Sequence, residues 1–455
     1  MLCGMRATTG SESRHRLVVI GGGMAGARLA QQLAAVPEAE LTVIGEEPHP
    51  PYNRVLLAEV LAGRYAPEVI ALPEPAGHRL GGVRAVRIDR GARTVHCDDG
   101  RLVGYDTLVL ATGSNPVLPP LRGLFPPGGT PADEGGGALP EGVRPFRTMD
   151  DCLALAAAAR PGVRAVVIGG GLLGVSAARA LAGRGAQVVL AHQGEHLMER
   201  HLDAQAAGML HGYLTSLGIE VHTECRVRGL RVEPYERTAT AGGRAVRAVE
   251  LADGFALDAD LVVLACGVRP RVGLARAAGI ATGRGIVVDD QLRTSDPRVY
   301  AIGDCAEHRG VLYGLAGPAQ EQADLLGRVL ADRVRAVAAG TRYTGTRALT
   351  RLTLAAPATG GHRGSAPAAS EPPGPTPFDL AAFGEPVPAP GDDVVHLSDA
   401  TRNAYRKVVV RGDRLVGGIL LGDLGTVGAL ARTWEGDEPL PSAPLLHLLT
   451  DDGGS

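Results

Sequence analysis

A chain of 455 residues has room for about three domains. With 46 Lys plus Arg against 49 Asp plus Glu it carries a net charge of -3, which gives no electrostatic case for binding nucleic acid or an anionic membrane. Its six cysteines show no C-x-x-C or C-x4-C spacing, which argues against a redox-active disulfide, a zinc site or an iron–sulfur cluster held within the chain, and no metal ligand is assigned.

The residues before Leu17 are mostly polar, and the first apolar run, Leu17 to Ile20, is too short for a signal segment or a membrane span. A soluble, cytoplasmic protein is expected. That run leads into Gly21-Gly-Gly-Met-Ala-Gly26 and an Ala/Leu-rich stretch: a buried strand, a glycine turn and a helix, in the order a dinucleotide site requires. Gly21 is expected to make the tight turn, Gly23 to let the backbone approach a pyrophosphate, and Gly26 to let helix and strand pack closely. Met24 and Ala25 would then open the helix on whose N-terminus the phosphates sit. The helix is expected to end near Ala35, with Leu41 to Ile44 as the second strand. Glu46 and Glu47 follow, about 20 residues beyond the glycines, where a carboxylate can accept hydrogen bonds from a ribose. Glu46 is the first choice; a solvated surface position is the alternative for both.

Next comes Pro48-His-Pro-Pro-Tyr-Asn-Arg-Val-Leu-Leu57. This phrase resembles the FAD-binding region of assimilatory NAD(P)H-dependent nitrite reductase large subunits. More broadly it is similar to the ferredoxin and rubredoxin reductase branch of the pyridine-nucleotide disulfide oxidoreductase superfamily. The resemblance implies that the first fingerprint takes FAD and that Arg54 lies along its diphosphate, a role its planar fork of donors suits. A surface arginine in a Pro-rich loop is the alternative. Where some ferredoxin reductases carry a lysine near the isoalloxazine, Ala58 and Glu59 stand here, and the cysteine that a peroxidase or NADH oxidase needs there is absent.

Val83 to Ile88, Thr94 to Cys97 and Leu102 to Val103 alternate like a small antiparallel meander, and the resemblance puts the backbone near Val86 against the adenine, with a core-strand position as the alternative for its side chain. Thr107 to Leu110 reads as a buried strand delivering Ala111-Thr112-Gly113, similar to the family's flavin-contacting turn. Residues 118–145, rich in Pro, Gly, Ala and acidic side chains, read as a linker or solvated loop.

The chain then repeats itself. Arg164-Ala-Val-Val-Ile-Gly-Gly-Gly-Leu-Leu-Gly174 matches Arg16 to Gly26, and Asp253 to Gly267 aligns without a gap on Asp99 to Gly113. Gly169, Gly171 and Gly174 take the same three tasks, Leu172 and Leu173 open the helix, and Gly267 ends the matching strand. The resemblance implies NADH or NADPH in this copy. His192 stands where the first copy has Glu46. An acidic residue there would favour NADH and an arginine NADPH; the histidine decides neither, and an exposed polar loop is the alternative. Leu197-Met-Glu-Arg-His-Leu-Asp203 is a further phrase similar to the nitrite reductases, with Asp203 as N-cap of a helix to about Leu217.

After Gly267, Val-Arg-Pro270 resembles the turn by which the family's chain returns to the flavin domain. The motif Ala301-Ile-Gly303-Asp304 resembles the superfamily's segment whose aspartate hydrogen-bonds the flavin ribitol. A helix from about Pro318 to Arg335, with Gln320 in its first turn, is expected to aim its N–H groups at the N1/C2=O edge of the flavin. His308 has a proton-handling reading and a solvated-loop reading, and the second is preferred. From Arg342 the composition shifts. Residues 357–390 are Pro/Ala/Gly-rich and expected to be flexible, and Tyr405 to Val410 with Leu415 to Leu421 read as a hairpin across Arg411-Gly-Asp413.

The expected fold is α/β, with two Rossmann-like, three-layer ββα nucleotide-binding domains and a small α+β C-terminal domain. The division is an FAD domain at 1–120 and 265–335, a linker at 121–145, an inserted NAD(P) domain at 146–264, and an interface or capping domain at 340–455. A homodimer is left open. The expected activity is that of an FAD-dependent NAD(P)H oxidoreductase; hydride transfer to flavin obliges no protein acid or base, so no catalytic side chain is assigned. The expected partner is a redox protein, either a nitrite or nitrate reductase subunit or a ferredoxin or rubredoxin, since the chain shows no iron–sulfur or sirohaem domain of its own. A flavin- and NAD-binding redox sensor is the alternative of another class.

Overall fold

Leu17-Val-Val-Ile20 and Ala165-Val-Val-Ile168 are apolar at consecutive positions, the pattern of strands covered on both faces, and each is buried at the centre of a parallel sheet. The computed structural model describes residues 14–74, 77–126, 139–234, 243–337, 340–347, 349–354, 378–399, 401–440 and 444–449. They fall into two units: the described residues within Met1–Tyr52, Ala71–Ser114 and Pro270–Gly345 form one, and those within Asn53–Ile70, Asn115–Arg269 and Thr346–Ser455 form the other.

In the first unit five parallel strands lie in the order Val299–Ala301, Thr107–Leu110, His15–Ile20, Ala39–Gly45, His78–Gly81. The helices Met24–Leu33 and Ala316–Val334 pack together, and their Leu29, Leu33, Leu325 and Leu326 share one core with the sheet residues Val19 and Val109. An antiparallel sheet of Ala85–Asp89, Thr94–Cys97 and Leu102–Gly104 adds Ile88 and Val95 to that core, which gives the layered α/β arrangement expected.

The second unit repeats the plan with parallel strands in the order Glu220–His222, Gln187–Ala191, Arg164–Ile168, Leu261–Leu264, Val143–Pro145. Its antiparallel sheet is Val227–Pro234, Arg244–Leu251, Ala256–Asp258. The repeat extends to single hydrogen bonds. Gly21 donates its N–H to the Ile44 carbonyl and Gly169 to that of Ala191; Ala111 donates to Ile20 and Ala265 to Ile168. Asp106 accepts from the backbone and guanidinium of Arg16, and Asp260 does the same for Arg164.

Hydrogen bonds from Arg16 hold the Asp106 carboxyl at about 2, and those from Arg164 lower Asp260. Both carboxyls are depressed in the folded chain. Their stabilisation is therefore complete above the ordinary carboxylate value of about 3.9 and is lost as pH falls further towards about 2. Denaturation curves across that acid window should show stability falling steeply in the wild type and less steeply in Asp106→Asn.

Residues 53–70 lie between two parts of the first unit in the chain but group with the second. Arg179, 2% exposed on the fingerprint helix Leu172–Gly183, pairs with Glu59. Arg184 donates to the Leu61 carbonyl, and the Cys152 thiol to that of Leu57. Burial pulls the Arg179 guanidinium below its ordinary value. Glu59→Ala would strand that buried cation and should cost about 3–5 kcal/mol. A lowered denaturation midpoint reads this loss, and Glu59→Leu combined with Arg179→Met should recover most of it.

Two segments differ from expectation. Within the stretch read as linker, Leu124 is fully buried, the Arg122 N–H bonds the Arg228 carbonyl, and Val143–Pro145 forms the sheet edge; 127–138 lie outside the described residues. Leu118, Leu121 and Phe125 join Leu124 in covering the same core as Leu230, so burial outweighs the turn-forming composition. Of the segment expected to be flexible, 357–377 lie outside the described residues, whereas Phe378–Gly384 is a strand with Leu380 and Ala381 fully buried. It belongs to an antiparallel sheet ordered Thr350–Leu354, Phe378–Gly384, Arg414–Leu421, Ala404–Arg411, Asp393–Asp399, which contains the expected hairpin. Lys407, the chain's only lysine, and Tyr405 both reach Asp203 Oδ2, at 2.7 and 2.8 Å. The other oxygen of Asp203 caps the helix Ala204–Ser216, as expected of that residue. Among the described residues no helix is long and apolar enough to cross a membrane.

Candidate nucleotide-binding sites

The two glycine turns are built alike. A Cβ on Gly21 would lie 2.0 Å from the Ala111 carbonyl oxygen, and one on Gly169 would lie 2.3 Å from that of Ala265. Their φ angles of +123° and +115° also call for glycine. A Cβ on Gly26 or Gly174 would lie 1.9 or 1.8 Å from the oxygen of Gly21 or Gly169, so only hydrogen fits where helix crosses strand. At Gly23 and Gly171, by contrast, a Cβ would meet nothing within 4 Å. That open cradle is where a pyrophosphate fits. Each of these glycines is the N-cap of its helix, Met24–Leu33 or Leu172–Gly183, and no side chain occupies the cap.

Around the first turn, Glu46 follows the strand Ala39–Gly45 and its carboxylate is 2.5 Å from the Arg271 guanidinium. Glu47 accepts the Tyr52 hydroxyl at 2.6 Å. Val86 is exposed at a bulge, where the ladder steps from Ala85 to Arg87. The Thr112 hydroxyl donates to the Arg271 carbonyl at 2.9 Å, and Gly113 has φ +69°. Gly303 and Asp304 form a short 3-10 turn after Val299–Ala301, and Asp304 Oδ2 accepts the Ser114 hydroxyl at 2.8 Å. Gln320 is exposed in the second turn of Ala316–Val334; Gln322, two residues on, is the one that reaches Gly303, at 2.8 Å. Arg54 lies in the second unit and donates to the Arg147 carbonyl. His308 is not solvated: it is 1% exposed, with Nε2 2.9 Å from Asp290 Oδ1. The strand Ala306–His308 pairs with Ile286–Val288, which brings Asp290 to it.

Around the second turn, His192 Nδ1 accepts the Gly170 N–H at 3.1 Å, which leaves the ring hydrogen on Nε2. Among the described residues that buried Nε2 has no partner. The ring lies on the fingerprint itself: a Cβ on Gly170 would come 2.7 Å from its Cγ. Gly267, at φ +95°, has open space around it. The five described cysteines are all free, and burial pushes the Cys152 and Cys266 thiols up to about 11, which suits packing rather than redox exchange. Among the described residues no cluster of three His, Cys, Asp or Glu side chains could hold a metal ion.

Ser114, Arg271 and Gln322 carry no spacing signal of their own: Ser114 lies in the flavin-turn phrase Ala111-Thr-Gly-Ser-Asn-Pro116, Arg271 directly follows Val268-Arg-Pro270, and Gln322 closes the family-like phrase that begins at Tyr313.

Two dinucleotide folds with open glycine cradles offer two sites of the kind that take a nucleotide diphosphate. The chain matches the pyridine nucleotide-disulphide oxidoreductase model over residues 15–323, and the rubredoxin NAD+ reductase C-terminal domain over 377–433. It belongs to the pyridine nucleotide-disulphide oxidoreductase family, whose members bind FAD and NAD(P)H. It is 34% identical over 418 residues to the nitrite reductase [NAD(P)H] of Bacillus subtilis (strain 168), which covers 90% of this chain and 46% of that protein. It is 32% identical to the assimilatory nitrate reductase electron transfer subunit of the same organism, over 90% of this chain and 48% of that one. The chain thus spans about half the length of these relatives. Among solved structures, the covalent putidaredoxin reductase–putidaredoxin complex superposes with a TM-score of 0.76 at 24% identity, covering 96% of this chain and 98% of that one.

Proposed function

We propose that this chain carries electrons from NAD(P)H through FAD to a separate redox protein, as the reductase component of a nitrite- or nitrate-reducing system. The observation that carries this reading is the pair of open cradles at Gly23 and Gly171, joined to sequence similarity with nitrite and nitrate reductase proteins across 90% of the chain. When bound, FAD accepts a hydride from the nicotinamide and yields electrons singly or in pairs. The chain's own residues bind and orient. In the flavin site Gly21, Gly23, Met24, Ala25 and Gly26 hold the diphosphate, Glu46 and Glu47 serve the ribose end, and Val86 meets the adenine. Ala111, Thr112, Gly113, Gly303, Asp304 and Gln320 face the flavin itself. In the coenzyme site Gly169, Gly171, Leu172, Leu173, Gly174, His192 and Gly267 receive NAD(P)H.

The described cysteines are free, and the thiols of Cys152 and Cys266 are pushed up to about 11, away from the reactive thiolate range. This supports an acceptor on another chain. A ferredoxin or rubredoxin is the second reading, favoured by the match to a rubredoxin reductase C-terminal domain. Anaerobic stopped-flow absorbance tests the proposal. Mixing with NADH or NADPH should bleach the flavin rapidly, and reoxidation should follow only when an iron–sulfur or nitrite reductase partner is added. A protein that binds no flavin, or a bleached flavin that no partner reoxidises, would sink it.

A further inference from the structure

Gln322 is 1% exposed, and a carboxamide buried so deeply needs partners at both ends. Its Oε1 accepts the Gly303 N–H at 2.8 Å, and its Nε2 donates to the Tyr343 hydroxyl at 3.3 Å. Gly303, at φ +76°, sits close to the first fingerprint helix: a Cβ on it would come 3.2 Å from the Ala25 Cβ. Asp304 follows it and is held by Ser114. Tyr343, also 1% exposed, packs its ring 4.9 Å from that of His308 and 5.9 Å from that of Tyr313. Its backbone N–H bonds the Asp290 carbonyl at 2.6 Å, and the carboxylate of the same aspartate takes His308. A buried polar and aromatic layer thus adjoins the Gly303–Asp304 turn.

We infer that Gln322 is a positioning residue for the turn that presents Asp304, with Tyr343 as its anchor. The inference rests on the reading that Asp304 meets FAD. Gln322 fixes the direction of the Ile302–Gly303 peptide and, through it, the side chain that follows. A neutral carboxamide suits this place because one end accepts from an N–H while the other donates to a hydroxyl. Glutamate there keeps the acceptor; burial favours its neutral carboxyl, so the negative charge that disfavours electron gain nearby develops only as pH is raised.

The test uses flavin-loaded protein. FAD release is followed by the fluorescence of the freed cofactor, and the flavin midpoint potential by dye-coupled reduction, in wild type, Gln322→Met, Gln322→Glu, Tyr343→Phe and Asp304→Ala. Gln322→Met and Asp304→Ala should release FAD about tenfold faster, the order of effect of leaving a buried hydrogen-bonding group unpaired. Tyr343→Phe should accelerate release less. Gln322→Glu should keep FAD, with a potential that becomes more negative than wild type as pH is raised and the carboxyl ionises, and with Tyr343→Phe it carries the test if Gln322→Met does not fold. Wild-type release and potential in every Gln322 and Tyr343 variant, with Asp304→Ala fast, would overturn the positioning role alone. Wild-type release in Asp304→Ala would overturn the reading of this turn as a flavin site, and the inference with it.

Discussion

Gly171→Val is expected to fold, to keep its FAD and to raise the KM for NAD(P)H by roughly a hundredfold, the order of loss when a ligand is displaced by about 1 Å. The protein tolerates the change because a Cβ at Gly171 meets nothing within 4 Å and the backbone there, at φ -80°, suits any residue. Only a nucleotide approaching the helix N-terminus would meet the new side chain. Gly23→Val is the mirror experiment: φ is -75° and the space is equally open, so a folded protein without FAD is expected. The visible flavin spectrum and the dependence of flavin reduction rate on NADH concentration read both outcomes. A Gly171→Val protein that is flavin-free yet still folded would reverse the assignment of the two fingerprints.

Gly26→Ala should act on the fold itself. Its Cβ would lie 1.9 Å from the Gly21 oxygen and 3.1 Å from the Gly21 carbonyl carbon. Backbone must move to admit it, and the helix Met24–Leu33 would be pushed off the strand His15–Ile20 that it covers. A loss of about 3 kcal/mol or more is expected, at the upper end of what overpacking costs. Gly174→Ala, at 1.8 Å from the Gly169 oxygen, should do the same to the second unit. Thermal unfolding without cofactor separates this from a binding effect, with Gly23→Ala as the control that keeps wild-type stability. Equal midpoints for Gly26→Ala and wild type would mean that helix and strand do not approach as closely as these contacts require.

Both results depend on features that are local in the chain. The period of Leu17 to Ile20, the spacing of the glycines after it and the copy of both at Arg164 to Gly174 are visible without any fold. The repeat even extends to Asp106 and Asp260, which align in the sequence and take the same arginine partner in each unit. The hairpin across Gly412 was legible for the same reason, since its alternation and turn lie within a few residues of one another.

Less legible were residues whose environment comes from far along the chain. His308 looks like a loop histidine beside Arg309 and Gly310, but Asp290 and Tyr343 enclose it. Gln320 and Gln322 share a helix turn and a residue type, and only the fold turns one outward and the other to Gly303. Phe378 to Gly384 lies at the end of a Pro/Ala/Gly-rich run and becomes a strand because Thr350–Leu354 and Arg414–Leu421 flank it.

The sequence by itself determined the two nucleotide folds, the order of their elements and the glycines that shape both cradles, because hydrophobic period and glycine geometry act over a few residues. The tertiary structure alone decided that Glu59 pairs with Arg179, that Lys407 pairs with Asp203, and that Gln322 holds Gly303. A polar group can be buried only where a distant partner meets it, and that meeting is a property of the fold.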